Sequence, residues 1–205
     1  MFEKHNQFPR NTPPKKSPSM KLFLFCAATL TSLTLNGLAQ APVGPGAVKL
    51  GKVLPAVVKT PEFQITGAQN KRYKLGEWLE VEVEFETKLE DIDELTFKYT
   101  MLVEKKILDG EVTYVNIPKG REHYSVMYVA PRSLEKLAGG KAITASAIEN
   151  VWVEVSHNGL VLDKVSLRPT AIPNAQHISS LVLNKNETPF APLYFDRYEA
   201  IKKSR

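Results

Sequence analysis

Apolar and polar residues alternate one for one over much of the chain from Glu62 onward, a period of two that predicts strands rather than helices. The clearest case is Trp78 to Thr87, where Leu79, Val81, Val83 and Phe85 share one face and Trp78, Glu80, Glu82, Glu84 and Glu86 the other. Leu95, Phe97, Tyr99, Met101 and Val103 make a second strand, with Thr96, Lys98 and Thr100 opposite. "GEVTYVNIP" and "EHYSVMYVAP" continue the pattern, each closed by a proline. Phe63 and Ile65 predict a short strand ahead of these, and "NKRYKLGE" a turn. "PRSLEKLAGG" interrupts the alternation: Ser133 is the expected cap of one helical turn through Ala138, which Gly139 and Gly140 end.

Strands resume with "ENVWVEVSHNGLVLDKVSL", where Asn158-Gly159 signals a two-residue hairpin turn. A strict two-residue register sets Glu154 against Asp163, an unfavourable like-charge pair, so either a longer loop or a bulge is expected there. "HISSLVLNKN" predicts one last strand, followed by a proline-ordered crossing segment and a short amphipathic tail. About seven short strands, frequent turns and one helical turn predict a single all-β domain over residues 61–205. Its class is an antiparallel β-sandwich with a C-terminal tail.

The glutamate row is the first candidate site. Four carboxylates on one strand lie in a line at intervals of roughly 6.5–7 Å. A calcium site needs oxygens converging at about 2.3–2.6 Å on one ion. Paired glycosidase carboxylates face each other across a cleft about 5–10 Å wide, which takes two elements. The row therefore predicts a solvated sheet face, its repulsion relieved from neighbouring strands, with Lys98 the obvious cation. As a partner-binding surface it would comprise Trp78, Glu80, Glu82, Glu84 and Glu86, with Trp78 as aromatic anchor.

Composition changes the picture mainly at the N-terminus. The chain has 27 Lys+Arg against 22 Asp+Glu. Residues 1–39 hold five of the cations (Lys4, Arg10, Lys15, Lys16, Lys21) and one acid, Glu3, which leaves 22 cations and 21 acids in the body. A near-neutral body offers no footprint for a phosphate backbone, so no nucleic-acid partner is expected. The same 39 residues read as a signal peptide: basic n-region, apolar "LFLFCAATLTSLTL", and Gly37 and Ala39 before the cut, with Met20 an alternative start. The apolar run is shorter than the roughly 20 residues of a spanning helix. No membrane span is expected after cleavage, and the mature protein is expected in the periplasm or at the outer membrane or cell surface. Cys26, the one cysteine, lies in the apolar run, so disulfides and thiol chemistry are not expected beyond it. Residues 40–60, rich in Pro, Gly and Val, read as a linker or extended arm, the second option being a strand lent to a partner or folded back.

Candidate chemistry is sparse. His123, His157 and His177 show no metal-ligand spacing, and the chain has no GxSxG elbow, phosphate loop or EF-hand loop. No enzyme activity, cofactor or metal is expected. Tyr194, Phe195 and Tyr198 are expected to pack the tail onto the domain.

"YKLGEWLEVEVEFET", "YTMLVEKKILDGEVTYVNIPKGREHYSVMYVAPRSLEKL" and "NKNETPFAPLYFDRYEAI" together resemble the verrucomicrobial immunoglobulin-like proteins associated with type IV pili. The resemblance runs from about Pro61 to the end and contains no catalytic signature. It implies an immunoglobulin-like sandwich at the cell envelope beside the pilus apparatus, so pilus or envelope proteins are the expected partners. The competing expectation is a module that binds surface glycans such as mucin. The chain lacks the Cys…Trp…Cys core of antibody domains, and alternation puts both Trp78 and Trp152 on outward faces.

Overall fold

The computed structural model describes residues 43–64, 66–67, 75–141, 144–194 and 197–203. The leader, with Met20 and Cys26, lies outside them, as do Ile65 and Phe195. No described helix is long and apolar enough to cross a membrane.

Among the described residues, ten strands form two facing sheets. β1 (Val48–Lys59), β2 (Glu77–Thr87), β5 (Gly120–Val129) and β9 (Val182–Asn184) make sheet A in the order β1-β2-β5-β9. β3 (Ile92–Val103), β4 (Lys106–Ile117), β6 (Ile148–His157), β7 (Leu160–Ser166) and β10 (Ala200–Ile201) make sheet B in the order β10-β4-β3-β6-β7. β8 (Gln176–Ile178) runs parallel to β4, on the same edge as β10, so sheet B is mixed rather than purely antiparallel. The order β1-β2-β5 against β7-β6-β3-β4 is that of an immunoglobulin-like sandwich, with strands two, five and one in one layer and six, three, four and seven in the other.

The alternation supplies the core. Leu79, Val81, Val83 and Phe85 of β2 meet Leu95, Phe97, Tyr99, Met101 and Val103 of β3 and Val151, Val153 and Val155 of β6, all fully or almost fully buried. Two tyrosines cross this core from sheet B. Tyr99 Oη donates to Ser125 Oγ at 2.7 Å, and Tyr114 Oη accepts the Val126 N–H at 3.0 Å. Val126 is the β5 residue just before β9 begins to pair at Met127, so Tyr114 satisfies an amide that the short strand does not cover. Burial pushes the Tyr114 hydroxyl up to about 12 and Tyr99 well above its ordinary value, so both stay protonated donors near neutrality.

Several local expectations are corrected. Within 40–60 the second option holds instead of the linker for the residues described: Val48–Lys59 folds back as β1 and pairs with β2 from Val48↔Thr87 to Lys59↔Glu77. Phe63 is exposed and belongs to no strand. The helix, α1 (Pro131–Leu137), starts earlier than expected, with Pro131 in its first turn and Ala130 as cap; Ser133 lies inside it and caps nothing. Its end is as expected: Gly139 and Gly140 take positive φ, and their amides bond back to Lys136 and Glu135. The single last strand is two short ones, β8 and β9, on different sheets, because the chain crosses between layers at 178–182. In the β6–β7 hairpin Asn158 and Gly159 form a two-residue loop, and the bulge forms. Ser156 pairs with Val161 but Val155 with Asp163, so Leu162 is the extra residue and Lys164 arrives opposite Glu154.

Gly110 shows how closely β9 approaches β4: a Cβ there would lie 2.6 Å from Val182 Cβ and 2.9 Å from Met127 Cε. Gly110→Ala should destabilise the fold by about 1–3 kcal/mol in urea unfolding, and Val182→Gly, which removes the clashing Cβ, should cost less in that background than in the parent. Ser125→Ala should cost about 1–2 kcal/mol by leaving the buried Tyr99 hydroxyl unpaired, Tyr99→Phe should cost less because Ser125 keeps Tyr114 as a partner, and the double variant should cost less than the sum.

Candidate functional site

Two outward sheet faces remain as sites, and the chain treats them differently. On sheet A, residues 188–194 and 197–199 lie across the outside as a strap. Phe190 stacks on Tyr128 at 4.7 Å and 6° between planes, and Trp78 meets both rings edge-on. Trp78, Val126, Tyr128 and Phe190 form a second apolar cluster on the far side of the sheet from the core, joined by Val58, Leu183, Leu193 and Tyr198. The Trp78 indole Nε1–H donates to Thr60 Oγ1 at 3.1 Å.

The glutamate row lies partly beneath this strap. Glu82 is only 8 % exposed; its carboxylate accepts from Arg197 Nη2 at 2.9 Å and from Tyr198 Oη at 2.6 Å. Arg197 in turn lies 3.9 Å above the Tyr124 ring, and buried Lys185 4.5 Å above Tyr198. Burial raises the Glu80 carboxyl above its ordinary range, the Tyr128 hydroxyl pulling the other way and Glu82 adding to the rise. Burial and the neighbouring carboxylates likewise raise the Tyr128 and Tyr198 hydroxyls. Glu84 and Glu86 are half-buried, and Glu86 meets Lys88 at 3.6 Å with Lys49 opposite it on β1. The solvated-face expectation is therefore corrected for Trp78 and Glu82, and a partner meeting this row reaches only its Glu84–Glu86 end without displacing the strap. Lys98 is not the neutralising cation, because it lies on β3 in the other sheet. Of the tail aromatics, Tyr198 packs as expected, whereas Tyr194 is exposed.

One arrangement imitates a catalytic triad. Thr87 Oγ1, His123 Nε2 and Nδ1, and Glu199 Oε1 form a chain at 3.5 and 3.0 Å. Its hydroxyl is already engaged, donating to the Pro118 carbonyl at 2.8 Å and accepting the Gly120 N–H at 2.9 Å. Thr87 and His123 are 2 % and 5 % exposed, and the imidazole stacks on Phe85. The arrangement pins the turn into β5 and ties the strap down through Glu199; a substrate has no access to it. His157 bonds the Glu94 carbonyl and His177 bonds Asp109. Among the described residues no three His, Asp, Glu or Cys side chains gather as metal ligands.

Sheet B's outer face is open. Across four strands stand Glu111, Lys98, Glu154 and Lys164, a row of alternating charge, with Lys164 and Glu154 in contact at 2.5 Å. In the next row Trp152 stands between Thr100 and Ser166. These small neighbours leave a pocket of about 290 Å³ lined by Trp152, Lys98, Glu154, Lys164 and Ile172. Alternation had put Trp152 outward; what it did not show was that the Leu162 bulge completes the charge row beside it. The Glu154–Asp163 conflict was the available signal.

Among solved structures, the crystal structure of a protein from the verrucomicrobe Akkermansia muciniphila matches with a TM-score of 0.67 and 24% identity, over 77% of this chain and 94% of that one. At that identity the likeness speaks to the fold. No curated protein matches. A family model matches residues 39–205, about four-fifths of the chain, and the chain belongs to the family that this model describes.

Proposed function

We propose that this chain is a non-catalytic, exported protein that binds other envelope proteins in or near a type IV pilus-like assembly, in the periplasm or at the cell surface. The observation that carries this reading is the open side of the sandwich along β1. β1 ends sheet A, and among the described residues no strand pairs with its outer edge. Near its start the edge is closed, since Leu50 N–H is taken by Asp163 Oδ2 at 2.8 Å. Val53 faces the core and is buried, but Pro55 and Val57, next on the same face, are only half-buried, and Leu54 is 41 % exposed. A strand laid along this edge would complete both the backbone pairing and the core, the usual way one β protein extends another. Pro55 lacks an N–H and discourages promiscuous pairing, so a partner must match the register around it. The resemblance to pilus-associated verrucomicrobial proteins supports the choice of partner. The engagement of Glu82, His123, His157 and His177 in structural bonds supports a role without chemistry.

A photocrosslinking residue at Leu54 in cells should capture a pilus-assembly or secretion component that the same residue at exposed Glu122 does not. Identical captures at both positions would rule the reading out. In this reading Glu82 is an anchor of the strap rather than a contact. Glu82→Gln should therefore lower stability by about 1–3 kcal/mol and speed proteolysis within 188–199, yet leave the Leu54 crosslink intact.

A further inference from the structure

The Trp152 pocket is independent of the β1 edge, and its composition points to a different ligand. The indole is already oriented without one, because Nε1–H donates to the Thr170 carbonyl at 2.6 Å. That bond consumes the ring's one polar atom and leaves its carbon face as the binding element. Thr100 and Ser166, directly across the strands on either side, are too small to cover the face. Ile172, half exposed, lines the same pocket and adds apolar surface to it. On the third side runs the charge row, where Lys98 is exposed and, among the described residues, forms no hydrogen bond or ion pair. Glu154 offers acceptor oxygens beside it, its other side held by Lys164.

We propose that this pocket binds a neutral pyranose ring, a hexose or N-acetylhexosamine, of a saccharide. Such a ring has an apolar face of C–H groups that suits a fixed indole and Ile172. Around its rim it carries hydroxyls that each donate and accept, which suits a row supplying ammonium donors and carboxylate acceptors side by side. An anionic ligand fits less well, because Glu111 and Glu154 flank Lys98 across both neighbouring strands, and Asp109 lies in the adjoining row with His177 bonded to it. A purely apolar side chain would strip water from the charges without replacing it. The volume, about 290 Å³, lies at the lower limit of small-molecule pockets, roughly 300–1,000 Å³, and suits one ring with the rest of a chain projecting into solvent.

The test is a titration of the full-length protein, ¹⁵N-labelled, with glucose, galactose, N-acetylglucosamine and N-acetylgalactosamine, with glucuronate as the anionic comparison. The Trp152 indole resonance should shift saturably with at least one neutral sugar while that of Trp78, under the strap, does not. Glu154→Gln and Lys98→Met should each weaken that binding by about tenfold with the spectrum otherwise folded. Trp152→Phe, followed by calorimetry, should weaken it less than Trp152→Ala, which separates lost stacking from lost folding. The proposal is overturned if no neutral sugar produces a saturable shift, if glucuronate alone does, or if the Lys98 and Glu154 variants bind as the parent does.

Discussion

Burial of sheet A on both of its faces is the constraint on which the rest of the structure depends. Its inner face closes the core, as in any sandwich. Its outer face carries Trp78, Val126 and Tyr128, an apolar patch that water would penalise, and the chain covers it with its own Phe190, Leu193 and Tyr198. That cover brings Arg197 and Tyr198 to Glu82 and Glu199 to His123, so the polar groups at this end of the molecule are satisfied by the same segment that excludes water. Among the described residues no buried side-chain nitrogen or oxygen is left without a partner. The strap also delivers Ala200–Ile201 to the edge of β4, where Lys202 pairs with Glu94, so one segment laces the two sheets together where a disulfide could have.

Sheet B solves the opposite problem. Its outer face has charges and hydroxyls instead of apolar bulk, and it stays open. The order along one row, Glu111, Lys98, Glu154, Lys164, relieves repulsion across strands without any covering segment. The bulge at Leu162 is what makes the order work: without it Asp163 would stand where Lys164 stands. Accessible polar chemistry is therefore concentrated on sheet B, and accessible backbone along β1, while the outer face of sheet A is largely spent on stability.

Period two was enough to read which residues face which way. Leu79 to Phe85, Leu95 to Val103, and the outward turn of both tryptophans all follow from it, and so does the sandwich class. What alternation cannot say is what lies above an outward residue. Glu82 and Glu86 occupy equivalent positions on one strand, yet one is buried by a segment 115 residues away and the other is not. Assigning Lys98 as the neighbour of the glutamates failed for a related reason, since adjacency in sequence between β2 and β3 is adjacency across the sandwich and not within a sheet. The linker reading of 40–60 weighed Pro and Gly above the valines. Gly51 falls at the β1 bulge and Pro55 on an edge, two places where a strand tolerates them.

The strap has a bearing on timing. Glu82 waits for Arg197 and Tyr198, and β4 for residues 200–201, so residues more than a hundred positions later in the sequence seal the sheet that β2 belongs to. Contacts of such long sequence separation form late and carry a high loop-closure cost. Until those residues dock, the aromatic side of β2 and β5 lacks the cover that Phe190, Leu193 and Tyr198 give it. Local opening of the strap is therefore the cheapest way for the molecule to loosen, and the hydrogen bonds of β2 and β5 depend on a segment remote from them in sequence.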